Sequence, residues 1–128
     1  MKLNRTAMIC GLMVLAACSV SGASLKRKAV QGDARAQYEL GRRCSEQQNY
    51  RRAFVWLQKA AAQGHAGAQN RLGVMYERGQ GVSMDLLQAH KWFSLAAASG
   101  NTYASANRAS LECHVKGEQI VASTASPR

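Results

Sequence analysis

Proline is almost missing from this chain of 128 residues: the single one, Pro127, stands beside the last residue. With nothing to break a helix and alanine crowding its middle, the chain favours helix over a sandwich of short strands. Acids are also scarce, seven Asp and Glu against 17 Lys and Arg, and no two are placed as the acid–base pair that glycoside cleavage requires. His65, His90 and His114 are the only histidines, and none has the two-histidine or Cys-x-x-Cys spacing of a zinc site. A Gly-x-Ser-x-Gly elbow and a phosphate loop are both lacking. These absences point away from an enzyme, and no metal or cofactor is expected.

Long apolar runs are lacking as well. The uncharged stretch from Ala7 to Ala17, preceded by Lys2 and Arg5, is too short to span a bilayer, which takes about 20 residues. It has the pattern of a secretory signal. Leu15-Ala16-Ala17-Cys18 resembles a bacterial lipobox, so residues 1–17 are expected to be a lipoprotein signal peptide and Cys18 the acylated N-terminus, carrying palmitate-type chains. Ser19, where an aspartate would retain such a protein, points to the periplasmic face of the outer membrane. Ordinary cleavage after Ser21-Gly22-Ala23 is the alternative and would give a soluble periplasmic or secreted chain. Loss of Lys2 and Arg5 leaves 15 basic residues against seven acids, a net charge of +8. In the periplasm that charge favours anionic lipid, cell-wall polymer or an acidic protein surface, and not nucleic acid.

Comparing the chain with itself reveals two copies of one pattern. Ala36-Gln37 and Leu40-Gly41 recur at a single fixed shift as Ala68-Gln69 and Leu72-Gly73. Ala53, Trp56 and the run Ala60-Ala61-Ala62-Gln63-Gly64 return at a slightly longer shift as Ala89, Trp92 and Ala96-Ala97-Ala98-Ser99-Gly100. The difference is Gly79-Gln80-Gly81-Val82, which lengthens the turn in the second copy only. A period of roughly 30 to 40 residues belongs to solenoids, and the expected fold is all-α, a short α/α solenoid of antiparallel helix pairs.

Within the second copy, Ala68, Leu72, Met75 and Tyr76 lie along one helical face, and Leu86, Ala89, Trp92, Phe93, Ala96 and Ala97 form a second stripe. Asp85, with Gln88 three places on, marks a helix start, and Asp33 and Asn101 offer capping oxygens to two others. Gly64 and Gly100 fall where a helix ends in a residue of positive φ. Gly41 and Gly73 allow helix axes to approach closely, with Trp and Phe side chains filling the space between units.

The series Ala68-Gln69, Leu72-Gly73, Tyr76, Gly79, Gly81-Val82, Asp85, Ala89, Trp92, Ala96-Ala97 and Gly100 resembles a complete Sel1-like repeat, a relative of the tetratricopeptide repeat. Residues 36–64 are similar but lack the Gly-x-Gly-Val turn and carry Cys44 in place of Tyr76. The resemblance implies a right-handed superhelix used as a protein-binding adaptor, without catalytic residues. The expected organisation is a lipidated N-terminus with a linker or partial helix over 18–32, repeats over 33–64 and 65–100, a capping helix over 101–116, and a flexible tail over 117–128. Two full units fall below the three or so that usually stand alone, so marginal stability is expected without a partner.

Cys44 and Cys113 fall at nearly equivalent places two units apart. At about 9 Å per packed helix layer they lie beyond disulfide reach, and both are expected as small buried thiols, with an intermolecular bridge as the alternative. Lys26-Arg27-Lys28 stand close to the expected anchor, where they serve either a lipid surface or linker solubility. Arg35, Arg42, Arg71 and Arg78 are the expected contacts for an acidic partner, on the exposed faces of the first helices of each unit. The functional reading is a lipid-anchored periplasmic adaptor at the cell envelope. A structural tether of an envelope complex or the cell wall, or a secreted host-contact binder, are its alternatives.

Overall fold

A computed structural model describes the backbone of residues 22–124 and the side chains of residues 22–116. The expected signal segment 1–17 and Cys18 lie outside the described residues. The described residues form six helices and no strand: α1 over residues 22–30, α2 Ala34–Glu46, α3 Tyr50–Ala62, α4 Ala66–Arg78, α5 Leu86–Ala98 and α6 Thr102–Thr124. From α2 onward each helix packs on the next, the arrangement that short connections impose on antiparallel neighbours. The fold is an all-α repeat solenoid, its two full units being α2–α3 and α4–α5.

Polar residues set the helix starts. Asp33 Oδ1 accepts from the backbone N–H groups of Arg35 at 2.9 Å and Ala36 at 3.2 Å. Asp85 Oδ1 accepts from those of Leu87 and Gln88, both at 3.0 Å, and Asn101 Oδ1 from that of Ala104 at 3.1 Å. In each case the side chain satisfies donors that the first turn leaves open. At α4 the capping residue is His65, whose Nδ1 accepts from Ala68 N–H at 3.2 Å.

The core runs through both units. Ala53, Leu57, Ala60 and Ala61 of α3 pack with Ala68, Leu72 and Met75 of α4, and Trp92 of α5 lies against this cluster. A second cluster joins Ala89 and Phe93 of α5 to Leu111 of α6. Within each pair a glycine faces a large side chain. A Cβ built on Gly41 would lie 2.7 Å from Leu57 Cγ, and one on Gly73 would lie 2.4 Å from Phe93 Cε1. Leu57 and Phe93 are fully buried there, so the close axis separation expected from the glycines is what lets these side chains fit.

The longer turn of the second unit is docked and not free. Gly81 adopts φ +71°, and a Cβ on it would stand 2.6 Å from the Tyr50 carbonyl at the start of α3. Val82 packs against the first core cluster. The insertion thus joins the second unit to the first.

Buried glutamines make a further joint. Gln37 donates Nε2–H to the Ala29 carbonyl at 3.0 Å, and its Oε1 accepts from Gln63 Nε2 at 2.8 Å. Gln69, at the equivalent place in the second unit, repeats this, donating to the Ala61 carbonyl at 3.3 Å and accepting from Ser99 Oγ at 3.5 Å. Each glutamine ties its own unit to the helix before it.

The structure narrows or corrects several expectations. Residues 22–30 form a packed helix, which is the partial helix of the two alternatives for 18–32. Ala29 is buried, and Leu25, Ala29, Gln31 and Gly32 precede Leu57, Ala61, Gln63 and Gly64 by the same shift that relates the first helices of the two units. α1 therefore stands where the second helix of a preceding unit would. The last helix does not stop at 116, the bound expected for the capping helix, but continues to Thr124. No proline intervenes before Pro127, and an established helix extends at little cost per residue. Cys113 is exposed instead of buried, Cys44 is partly buried, and both are free thiols.

Candidate functional site: a groove along the first helices

α2, α4 and the start of α6 share a cleft of about 340 Å³ lined by Tyr38, Asn70, Arg71, Val74, Asn101 and Tyr103, among others. Tyr38 lines both this cleft and a neighbouring one. One face of the Tyr38 ring stacks on His65, with centroids 4.5 Å apart and planes 22° from parallel. Arg71 Nε–H donates to Tyr38 Oη at 3.4 Å, and the guanidinium carbon lies 5.8 Å from the ring centroid. Gly67 makes this possible, because a Cβ there would press on both Tyr38 and His65 at 3.2 to 3.3 Å. On the α6 side, Asn107 Nδ2 donates to Asn70 Oδ1 at 3.0 Å. Tyr103, 77% exposed, stands at the rim.

The four arginines expected to meet an acidic partner have different surroundings. Arg42 is half-exposed and already paired, to Glu39 at 2.6 Å and to Glu46, while Arg43 adds a second cation beside Glu39. The Arg42 hydrogen bond holds the Glu39 carboxyl below the usual carboxylate range, and the same pairing raises Arg42. That guanidinium is neutralised by its own helix. Arg71 has no carboxylate partner among the described residues and lines the cleft. Arg35 is exposed, lining a neighbouring cleft of about 540 Å³ with Leu25, Lys28, Tyr38 and His65. Arg78 is exposed in the last turn of α4. Burial, with a smaller contribution from Arg35, holds the His65 imidazole below its ordinary value, although its backbone hydrogen bond opposes this.

The repeat-motif residues divide by depth. Ala53, Leu72, Ala89 and Ala96 are buried core, with Gly41 and Gly73 buried beneath their facing side chains. Leu40, Trp56, Tyr76, Trp92 and Ala97 are half-buried, and Gly64, Gly79, Gly81 and Gly100 are exposed in turns, all four at positive φ. Tyr38 and Asn70 were not among the expected site residues. They occupy equivalent places, each directly after the Ala-Gln pair, and that placement was the available signal. Among the described residues no three His, Cys, Asp or Glu side chains come together as a metal site. No helix is long and apolar enough to cross a membrane among those residues.

Stacked helix pairs with a shared groove define a tetratricopeptide-like solenoid. Residues 34–65 and 66–101 each match the Sel1 repeat model. Together they make up more than half of the sequence, and the chain belongs to the Sel1 repeat family. A 52-residue stretch is 44% identical to chitin synthase regulatory factor 3 of Schizosaccharomyces pombe, covering 41% of this chain and 6% of that protein. Among solved structures, a Sel1 repeat protein from Oxalobacter formigenes superposes with a TM-score of 0.66 at 43% identity, over 68% of this chain and 26% of that one. A protective antigen of uropathogenic Escherichia coli strains displaying the same repeat fold gives 0.64 at 38% identity, over 67% and 19%. The chain therefore spans a small part of each of these larger proteins. Sel1 repeat proteins are in general non-enzymatic scaffolds for protein–protein interaction.

Proposed function

We propose that this chain is a non-enzymatic, lipid-anchored adaptor at the periplasmic face of the bacterial outer membrane, holding an acidic segment of a protein partner in the groove along α2, α4 and α6. The observation that carries the groove assignment is Arg71, a guanidinium without a carboxylate partner among the described residues, seated on Tyr38 inside a cleft of about 340 Å³. Ion pairs inside such a site exclude wrong partners and set register. A flanking aromatic pair, Tyr38 and Tyr103, supplies contact area at low entropic cost. Arg42 has no such role, because Glu39 and Glu46 already hold it.

The anchor assignment rests on the sequence: a basic start, an apolar run, and Leu15-Ala16-Ala17-Cys18. Intact mass of the protein extracted from membranes, beside a Cys18→Ala variant, tests it. A triacylated chain beginning at Cys18 supports the envelope adaptor. An unlipidated chain beginning near Ser24 removes the anchor and leaves a soluble periplasmic or secreted binder. The groove is tested separately with a photo-crosslinking side chain at Tyr103 in living cells. Partner adducts lost on Arg71→Glu and kept on Arg42→Ala support the reading, and adducts indifferent to Arg71→Glu remove it.

A further inference from the structure

α1 is fixed to the solenoid on one side and strongly basic on the other. Ala29 is 1% exposed, and the bond from Gln37 Nε2 to its carbonyl is buried, so the helix is held as part of the stack. Lys26, Arg27 and Lys28 are all exposed, and none forms an ion pair among the described residues. The acids that follow in sequence are occupied: Asp33 caps α2, and Glu39 is held by Arg42 and Arg43. Val30, 69% exposed, adds an apolar side chain to the same end of the stack.

We infer that this outer face of α1 rests on anionic phospholipid headgroups and so fixes how the solenoid stands on the membrane. The inference rests on Cys18 being the acylated residue. Only Ser19, Val20 and Ser21 separate Cys18 from the first helical position, and four residue steps reach at most about 14 Å when fully extended. The field of a charged bilayer decays over a Debye length of about 8 Å at physiological salt. A tether this short keeps the three cations close to the region where headgroup charge is felt. Each cation near the surface strengthens association by about fivefold, so three together supply about two orders of magnitude. The layer farthest along the stack, α6, is then turned away from the bilayer, and the groove between α2, α4 and α6 stays open to a partner.

The test uses the protein extracted from membranes, its mass measured first, on vesicles of zwitterionic phospholipid alone or with an anionic phospholipid added. A membrane-impermeant amine reagent reports each lysine, with exposed Lys59 and Lys91 as internal standards. The expected result is that anionic vesicles slow labelling of Lys26 and Lys28 by about fivefold or more relative to zwitterionic ones, with Lys59 and Lys91 unchanged. About 1 M salt, where the Debye length is about 3 Å, should remove the difference. Arg27→Glu, a change of two charges, should remove most of this protection while leaving both reporters in place. Equal labelling on the two vesicle types overturns the inference, and so does equal protection of all four lysines. If the mass shows no acyl chain, the anchor reading fails by itself. The unlipidated protein on the same vesicles then decides the basic face: protection of Lys26 and Lys28 retains it, and none overturns it.

Discussion

Gln37 and Gln69, at equivalent places in the two units, hold the same two kinds of partner: a carbonyl of the preceding helix, and a side chain just past the end of the second helix of their own unit. Both are buried, 4% and 6% exposed, and the other buried side chains among the described residues are apolar. The arrangement gives each unit a polar bond to the helix before it, where apolar packing alone would allow sliding.

Replacing Gln69 by leucine should therefore remove the side-chain bonds to the Ala61 carbonyl and to Ser99, leaving that carbonyl with the Gly64 N–H alone. The expected loss is about 0.5 to 1.5 kcal/mol, the net contribution of an intramolecular hydrogen bond. Urea unfolding followed by circular dichroism measures it, and Gln58→Ala, on an exposed site of α3, should change the midpoint little. An unchanged midpoint for Gln69→Leu would mean that the joint contributes nothing.

How much of this was legible follows from the kind of signal each residue carries. Asp33, Asp85 and Asn101 could be read as caps because the required atom lies within their own side chain and the donors are two or three positions away. Gly73 was legible as a close contact because only one residue type lacks a Cβ. The glutamine joint was not, although Ala-Gln recurs in plain view, since its partners sit at the ends of other helices and meet it only once the units stack. For the same reason α1 stayed open between a linker and a partial helix: only the stack shows Ala29 meeting Gln37. Arg42 and Arg71 looked alike in sequence, and the difference came from Glu39 and Glu46, one helical turn to either side of Arg42.

Gly73 and Gly41 should differ in tolerance. A methyl group at Gly73 meets the rigid ring of Phe93 at 2.4 Å, whereas at Gly41 it meets a branched leucine at 2.7 Å. Gly73→Ala should cost about 1 to 3 kcal/mol and Gly41→Ala less, because Leu57 can change rotamer where an aromatic ring must shift as a whole. Thermal melts of both variants check the order. Phe93→Leu placed on Gly73→Ala should recover part of the loss, and a double variant no better than the sum of the two singles would show that the clash lies elsewhere.

The turn that distinguishes the second unit offers another check. Gly81 combines φ +71° with backbone of Tyr50 at 2.6 Å from any Cβ. Gly81→Ala should destabilise the fold by at least about 1 kcal/mol, the cost of a left-handed conformation for a residue with a Cβ, with the displacement of α3 added. Gly100→Ala provides the comparison, since its φ is +85° but nothing lies within 4 Å. A Gly81→Ala loss no larger than that of Gly100→Ala would separate the turn from α3.

His65 gives the groove a dependence on pH whose sign can be worked out. Its Nδ1 must be unprotonated to accept from Ala68 N–H, and burial lowers its affinity for a proton in the folded chain. The unfolded chain, with an imidazole near the ordinary value of about 6.5, binds the proton first as pH falls. Stability from this group is thus complete above about pH 6.5 and is lost as pH falls towards the lower folded value. An imidazolium would also place positive charge on the N-terminal end of α4, where the helix dipole disfavours it. His65→Asn keeps a capping oxygen and removes the titration, so the wild-type urea midpoint should drop relative to that of His65→Asn between about pH 7.5 and about pH 5.5. Because Tyr38 stacks on His65 and holds Arg71, partner adducts at Tyr103 should weaken over the same interval in the wild type and persist in His65→Asn. Parallel pH profiles for the two proteins would rule out His65 as the titrating group.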